Sequence, residues 1–321
     1  MADQGALIVT RSWKVPAASG HLRLDAFARR CVPQLSRQVL VRAIGEGLFS
    51  VGGKVGKKGT RLSVGDELTF RGPSSWLASS PPANESLDVP IVYEDEAIVV
   101  LDKPAGMPTH GFSGRDEATV ANFLAAKRPA LIGVGKSRWE AGLLHRLDRE
   151  TSGLVVAAKT AAAYGDLERQ FRRRQVAKSY LALVWGNTAG GGTIDFPLTH
   201  DPRDQRRMVA VTAAGRPTEQ KTWRAITRYR KAAAARGLTL LEIEMATGVT
   251  HQIRVHLAAL GHALVGDALY GGCTAEDFGL KRHFLHAWKL SFAHPAAGMF
   301  SAEAGLPIEL RELLSRLGLD S

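Results

Sequence analysis

Apolar runs of strand length follow one another with few long helical stretches between them, and this constrains the fold of the 321-residue chain more than any other feature. Ile98–Leu101 reads as a buried strand entering a turn at Lys103–Met107, and Leu154–Ala158 reads as a second. Val176–Trp185 reads as a third, with Tyr180, Ala182 and Val184 on one face and Leu181, Leu183 and Trp185 on the other. Tyr164, Leu167 and Phe171 share one face of a helix that ends in Arg172-Arg173-Arg174. Strands paired mostly without a helix between them predict an α+β fold on a mixed, largely antiparallel sheet, not a doubly wound parallel one.

The first 72 residues read as a separate compact unit. Leu24 and Phe27 fall on one face of a short helix, and Ser36 caps a second whose Val39, Leu40, Ala43 and Ile44 form a core stripe with Arg37 and Arg42 outside. Gly45 and Gly47 stop that helix. Leu48–Val51, the turn Gly52-Gly53 and Lys54-Val55 predict a hairpin, and Glu67–Phe70 a further strand. The Ser-, Pro- and Asn-containing stretch 73–87 reads as a linker, leaving 88–321 as the large domain.

A net charge of +11 implies a polyanionic partner, because clustered Lys and Arg gain affinity by releasing counterions from phosphates. Residues 1–72 carry twelve Lys/Arg against five Asp/Glu, so that segment should touch the polyanion. Nucleic acid is the leading candidate. No apolar run approaches the roughly 20 residues needed to span a bilayer, and the N-terminus lacks the basic-then-apolar order of a secretory signal; the expected location is the cytoplasm, with no membrane partner. Cys31 and Cys273 stand in unrelated surroundings and indicate neither a disulfide framework nor a Cys-based zinc site. Residues 52–59 lack phosphate-loop spacing, so an NTPase and a nucleotide cofactor are rejected. His251 and His256 are five apart without the acidic neighbour of a His-Glu-x-x-His zinc site, and with His283 and His286 they read as core or RNA-facing groups, not metal ligands.

The candidate chemistry centres on His145-Arg146-Leu147-Asp148-Arg149-Glu150-Thr151-Ser152-Gly153-Leu154. A carboxylate between two arginines favours the ionised form and can act as nucleophile or base. The stretch resembles the catalytic motif of RluA-type RNA pseudouridine synthases. The resemblance continues in Val99–His110, in Lys178-Ser179-Tyr180-Leu181-Ala182-Leu183-Val184, in Thr247–Leu257 with Gly261-His262 and Gly266–Gly271, and in Leu285–Phe292 with His294-Pro295. The pattern of the first 72 residues likewise resembles the small S-four-type RNA-binding domain.

The resemblance implies a catalytic domain with a central cleft and isomerisation of uridine to pseudouridine, without cofactor or metal, in RNA. Large-subunit ribosomal RNA is the expected target and transfer RNA the alternative. It implies that Asp148 acts on the ribose, by attacking the anomeric carbon or removing a sugar proton, and that Arg254, brought from a distant strand, holds it charged. Tyr180 would stack on the uracil and help remove the proton from carbon 5, Leu290 would pack on the base from the opposite side, and Arg146 would assist extrusion of the nucleotide, which costs a few kcal/mol. His145, Thr151 and Gly153 would shape the turn that aims Asp148. In the small domain RNA would meet Arg37, Arg42, Lys54, Lys57, Lys58 and Arg61. Val249 departs from the family, which usually has Arg there. The basic loop 133–139, bearing Trp139, reads as an RNA clamp or a plain connector.

Two rival classes stand beside this reading. A catalytically silent RNA-binding or ribosome-assembly factor would be expected to have lost Asp148, Tyr180 or Arg254. A retaining glycosidase or ribosyl transferase would need a second carboxylate about 5–5.5 Å from the first, and Glu150 is given no such role by the motifs.

Overall fold

The computed structural model describes residues 7–319 except 34, 112–113, 115, 213–220 and 272–277; Cys273 lies outside the described residues. The chain forms two compact units, 1–87 with 110–141, and 88–109 with 142–321.

In the first unit, strand β1 (Ile8–Lys14), helices α1 (Leu24–Cys31) and α2 (Arg37–Gly45), and strands β2 (Phe49–Val51), β3 (Lys54-Val55) and β4 (Glu67–Pro73) precede helix α3 (Val120–Lys127). The four strands make an antiparallel sheet in the order β1-β4-β2-β3. Ser36 caps α2 as expected, its Oγ accepting from the Val39 N–H at 3.3 Å. Leu24, Phe27, Leu40, Ala43 and Ile44 are buried beneath the helices, and Phe49 meets Phe70 edge to face at 5.3 Å. Strand β1, whose residues are largely exposed, was not anticipated; its alternation carries little apolar signal, and only pairing along β4 defines it.

The stretch 73–87 is less free than the expected linker. Ser74–Leu77 forms a turn of 3-10 helix whose Trp76 is buried in the core of this unit. Asn122 donates to the Pro82 carbonyl at 2.7 Å and Asn84 to the Glu117 carbonyl at 2.7 Å, so the segment preceding α3 and α3 itself are tied together. Serine, proline and asparagine content signalled chain freedom, whereas one aromatic side chain and two amide bonds decide otherwise.

The second unit contains β5 (Ile91–Glu94), β6 (Ile98–Lys103), β7 (Ser152–Ala158), helix α4 (Ala161–Arg172), β8 (Ala177–Trp185), β9 (Gly191–Ile194), β10 (Leu198–His200), β11 (Met208–Ala210), β12 (Thr227–Ala235), β13 (Leu238–Met245), helix α5 (Gln252–Ala259), β14 (Leu285–Ala293), β15 (Met299–Glu303) and helix α6 (Ile308–Leu317). Nine strands make one sheet, ordered β5-β6-β7-β14-β8-β13-β12-β9 with β15 also on β14. Every pairing in it is antiparallel except β7 with β14. The fold is therefore α+β on a mixed, largely antiparallel sheet. The parallel contact is where Gly153 matters. Its φ is +116°, and a Cβ there would stand 2.3 Å from the Ala287 carbonyl, so only glycine lets the two strands meet. Helix α6 packs against β8 and β13, burying Leu310, Leu313, Leu314 and Leu317 with Leu183, Leu240 and Phe284. Among the described residues no helix is long and apolar enough to cross a membrane.

Trp76→Ala should cost about 3 kcal/mol or more in urea unfolding, as expected for a buried aromatic. A loss within about 0.5 kcal/mol would mean that the segment is solvated chain after all.

Candidate active site

The sheet gathers the motifs in the second unit. The loop that carries Asp148 leads into β7, and hydrogen bonds from the β6 side clamp it at both flanks. Thr109 Oγ1 donates to the Leu147 carbonyl at 3.1 Å and accepts from the Leu147 N–H at 3.0 Å. The fully buried Lys103 ammonium donates to the carbonyls of Pro104 (2.9 Å), Met107 (2.8 Å) and Arg149 (3.1 Å). Beyond Asp148, Thr151 N–H closes a turn onto the Asp148 carbonyl at 3.1 Å, and Thr151 Oγ1 pairs with His283 Nε2 at 2.8 Å. Arg282, itself buried, donates to the Glu150 carbonyl at 3.0 Å, to Ser152 Oγ at 3.1 Å and to Glu309 of α6 at 2.9 Å. Ordering so short a loop is costly in backbone entropy, and these bonds offset it.

Arg254 meets Asp148 as expected, its Nη1 lying 3.1 Å from Asp148 Oδ2. It comes from helix α5, not from a strand as anticipated. The apolar Ile253, Val255 and Leu257 alternate in a way that suits a strand, yet Gln252 anchors a helical turn. Gln252 Oε1 accepts from Thr247 Oγ1 (2.8 Å) and the Val249 N–H (3.1 Å), while Nε2 donates to the Ile226 carbonyl (2.9 Å). A second carboxylate holds the guanidinium from behind. Asp267, 1% exposed, accepts from Arg254 Nε at 2.7 Å and Nη2 at 2.8 Å, a bidentate pair. Asp267 also accepts from the N–H groups of Leu269 and Tyr270. Burial works against both charges, yet the paired bonds hold Asp267 below the usual carboxylate range and raise Arg254 above its ordinary value. Asp267 falls within the Gly266–Gly271 motif, but its pairing with Arg254 is a spatial fact with no local signature.

The arginines beside Asp148 in sequence do not hold it. Arg149 turns away and donates through Nε to the Gly106 carbonyl at 2.9 Å, while exposed Arg146 lines the cleft. Successive residues in a turn point apart, so sequence adjacency was the wrong warrant. His251 does approach Asp148, its Nε2 at 3.9 Å from Oδ2 and its Nδ1 at 2.8 Å from the Tyr270 hydroxyl; burial lowers its pKa and favours neutral imidazole. His256 bonds Thr227 and the Phe196 carbonyl, and His286 bonds Ser152 and the Ala304 carbonyl.

A cavity of about 570 Å³ opens beside Asp148, lined among others by Arg146, Lys178, Tyr180, Arg224 and Val249. Tyr180 is 5% exposed, and its phenol is raised first by burial and then by the charge of Asp148, so it stays protonated. Such a ring offers a stacking face and a donor hydroxyl. Leu290 is not at the cavity. It is buried further along β14, beyond an irregularity in the β8–β14 pairing between His286 and Lys289, and Leu285 instead lines the smaller recess shared by Asp148, Tyr180 and Arg254.

In the first unit Arg37, Arg42, Lys54, Lys57, Lys58 and Arg61 are all exposed, Arg42 being paired with Glu46 at 2.9 Å. A groove of about 520 Å³ between α1 and α2 is lined by Arg29, Arg30 and Arg37. Arg29 and Arg30 carry no sequence motif of their own, and only the packing of two helices makes them groove walls. The loop 133–139, expected as clamp or connector, ends in a 3-10 turn over Arg138–Glu140 in which Ser137 Oγ accepts from the Trp139 N–H.

A carboxylate fixed by a buried guanidinium, beside an aromatic ring in a basic cavity, is suited to act on the sugar of a nucleotide. Comparison with known proteins agrees. A family model described as RNA pseudouridylate synthase matches residues 97–259. The chain is 36% identical to a "Ribosomal large subunit pseudouridine synthase D" of Xanthomonas campestris, over 100% of this chain and 97% of that protein. It is 35% identical to a protein of the same name from Pseudomonas aeruginosa, over 98% and 97%. The solved structure of "Human RNA Pseudouridylate Synthase Domain Containing 4" superposes with a TM-score of 0.56 at 27% identity, covering 72% of this chain and 94% of that one. The chain belongs to the RNA pseudouridylate synthase family, in its RluA-type branch.

Burial brings the Lys103 ammonium down to about 7. The unfolded chain, with an ordinary lysine near 10.4, then binds more protons between those values, so stability rises with pH across that window. Wild type should accordingly gain on Lys103→Met in urea unfolding as pH goes from 7 to 9.5. A difference that does not move would show that Lys103 remains charged throughout.

Proposed function

We propose that this protein converts specific uridines of large-subunit ribosomal RNA to pseudouridine in the cytoplasm, with Asp148 as the carboxylate that acts on the ribose. The observation that carries the reading is the Asp148–Arg254–Asp267 chain of ion pairs, buried at Asp267 and open at Asp148, at the edge of a basic cavity. Its support beyond geometry is the name borne by the bacterial relatives.

The isomerisation breaks the bond from ribose to N1 of uracil, turns the base and joins carbon 5 to the sugar. It is redox-neutral and needs no cofactor. Asp148 either attacks the anomeric carbon or removes a sugar proton, and in both the carboxylate is positioned by Arg254 Nη1 at 3.1 Å. Because Asp267 already occupies Nε and Nη2 of Arg254, only Nη1 faces Asp148, which leaves the second carboxylate oxygen free for the sugar. Tyr180 stacks on the uracil, and Leu285 contributes apolar surface beside it. Because burial above all keeps the phenol protonated, Tyr180 meets the uracil with a ring face and a donor hydroxyl. Arg146, exposed at the mouth, fills the space or grips the backbone left by the extruded nucleotide, offsetting part of the unstacking cost. The first unit adds affinity through Arg37, Arg42, Lys54, Lys57, Lys58 and the groove residues Arg29 and Arg30, which neutralise phosphates.

Release of label from carbon 5 of uridine in large-subunit ribosomal RNA transcripts tests the assignment. Asp148→Asn should abolish turnover while RNA binding persists, and equal turnover by the variant would refute the role. Label release from transfer RNA alone would move the target without moving the chemistry. A separate measurement addresses the first unit. Combined Arg29→Gln, Arg37→Gln and Lys57→Gln should flatten the plot of log affinity against log salt by about 2; an unchanged slope would remove this face from the RNA path.

A further inference from the structure

Lys178 is a cation of the cavity that the reaction above does not use. Lys178 lies two residues before Tyr180 on β8, so their side chains leave the same face of the strand about 7 Å apart. Its ammonium sits 5.8 Å above the Phe171 ring. Phe171 in turn stacks on His145 with ring centroids 5.2 Å apart. A Cβ added at Gly248 would stand 3.6 Å from the Lys178 Nζ, so the opposite wall is bare backbone beside the charge. No carboxylate or carbonyl accepts from this ammonium among the described residues, in contrast with Lys103, whose three carbonyl partners are described above. Burial brings Lys178 down to about 8, as expected of a half-buried cation without a counter-ion. Burial and then the Lys178 charge drive His145 down to about 3, so the imidazole cannot share the positive charge and presents only a flat, neutral side.

The lining of the cavity states what the missing counter-ion is. Among the described residues Arg146, Arg172, Arg174, Arg224 and Lys178 line the cavity with one carboxylate, that of Asp148. Asp148 is already matched by Arg254, and its charge raises the Tyr180 phenol whereas burial alone acts on Lys178. Lys178 lines this cavity but not the smaller recess that Asp148, Tyr180 and Arg254 share, so it stands off the reacting sugar. A group bound there belongs to the strand that delivers the nucleotide, not to the base that turns. An ammonium is a compact point charge with rotatable donors, suited to a phosphate oxygen.

We propose that Lys178 is the seat of a backbone phosphate of the substrate RNA strand, next to the flipped uridine, with the Phe171–His145 stack as its floor and Gly248 leaving room for it. The proposal rests on the pseudouridine synthase reading and adds a specific anchor to it. The phosphate supplies the counter-ion that the folded protein lacks, and Lys178 fixes the strand so that the sugar falls against Asp148 and the base against Tyr180. It is a binding residue for the strand and takes no part in making or breaking bonds.

The test uses the full chain and large-subunit ribosomal RNA transcripts, comparing wild type with Lys178→Met and Lys178→Arg. Affinity is measured across a salt series, together with kcat and KM for label release. Lys178→Met should raise KM several-fold, keep kcat at saturating RNA within about twofold, and flatten the salt slope by about 0.7, one phosphate contact on a single strand. Lys178→Arg should restore the slope. An unchanged KM and slope in Lys178→Met overturns the proposal. A fall in kcat with the slope intact also overturns it, since Lys178 would then serve the departing base. Failure of wild type itself to release label from any RNA would instead sink the reading on which the proposal rests, which keeps the two failures apart.

Discussion

One guanidinium holds the site together. Arg254 spends two of its nitrogens on Asp267 and one on Asp148, so a buried carboxylate fixes the cation and the cation fixes the carboxylate that faces the cavity. Removing one member of such a buried pair typically costs 3–5 kcal/mol because the partner is left charged and unpaired. The arrangement is asymmetric in exposure. Asp267 is sealed at 1%, whereas the Asp148 side chain keeps 20% of its surface open. Stability is thus invested at the back, and reactivity is left at the front.

The rest of the scaffold exists to bring that front to the right place. Asp148 belongs to a loop, and a loop alone would not hold a carboxyl group within hydrogen-bond reach of a helix 106 residues away in sequence. Lys103 and Thr109 hold its flanks, Arg282 ties its far end to α6, and Gly153 allows the one parallel pairing that carries the chain from the loop into the middle of the sheet. Buried polar groups are tolerated here because each is satisfied. Lys103 makes three bonds to carbonyls, and a neutral or charged amine both find acceptors in that cage.

Charge is distributed by function across the chain. In the first unit the basic residues are exposed and tolerant of position, as suits counterion release along a flexible polyanion. In the second, the cations of the cavity surround one carboxylate and are individually placed. The difference explains why net charge pointed to a polyanion while giving no hint of which lysine or arginine meets it.

Local patterns were legible. Ser36 as a cap, the Gly52-Gly53 hairpin, the apolar faces of α1, α2 and α4, and the strands around Val99, Val155 and Leu183 all follow from turn chemistry and side-chain period, which operate over a few residues. The resemblance of the motifs to RluA-type synthases was legible too, and the family match agrees with it. What misled was neighbourhood. Arg146 and Arg149 flank Asp148 yet do not pair with it, Leu290 stands in the right motif yet Leu285 lines the recess, and the 73–87 stretch reads as free chain yet buries Trp76. The sequence by itself determined the strands and helices with a clear apolar period, the family and the carboxylate to watch. Only the tertiary structure decided which cation holds that carboxylate, that it comes from a helix, and that Asp267 stands behind it. Ion-pair partners are chosen by distance in space, and those distances exist only once the sheet has closed around them.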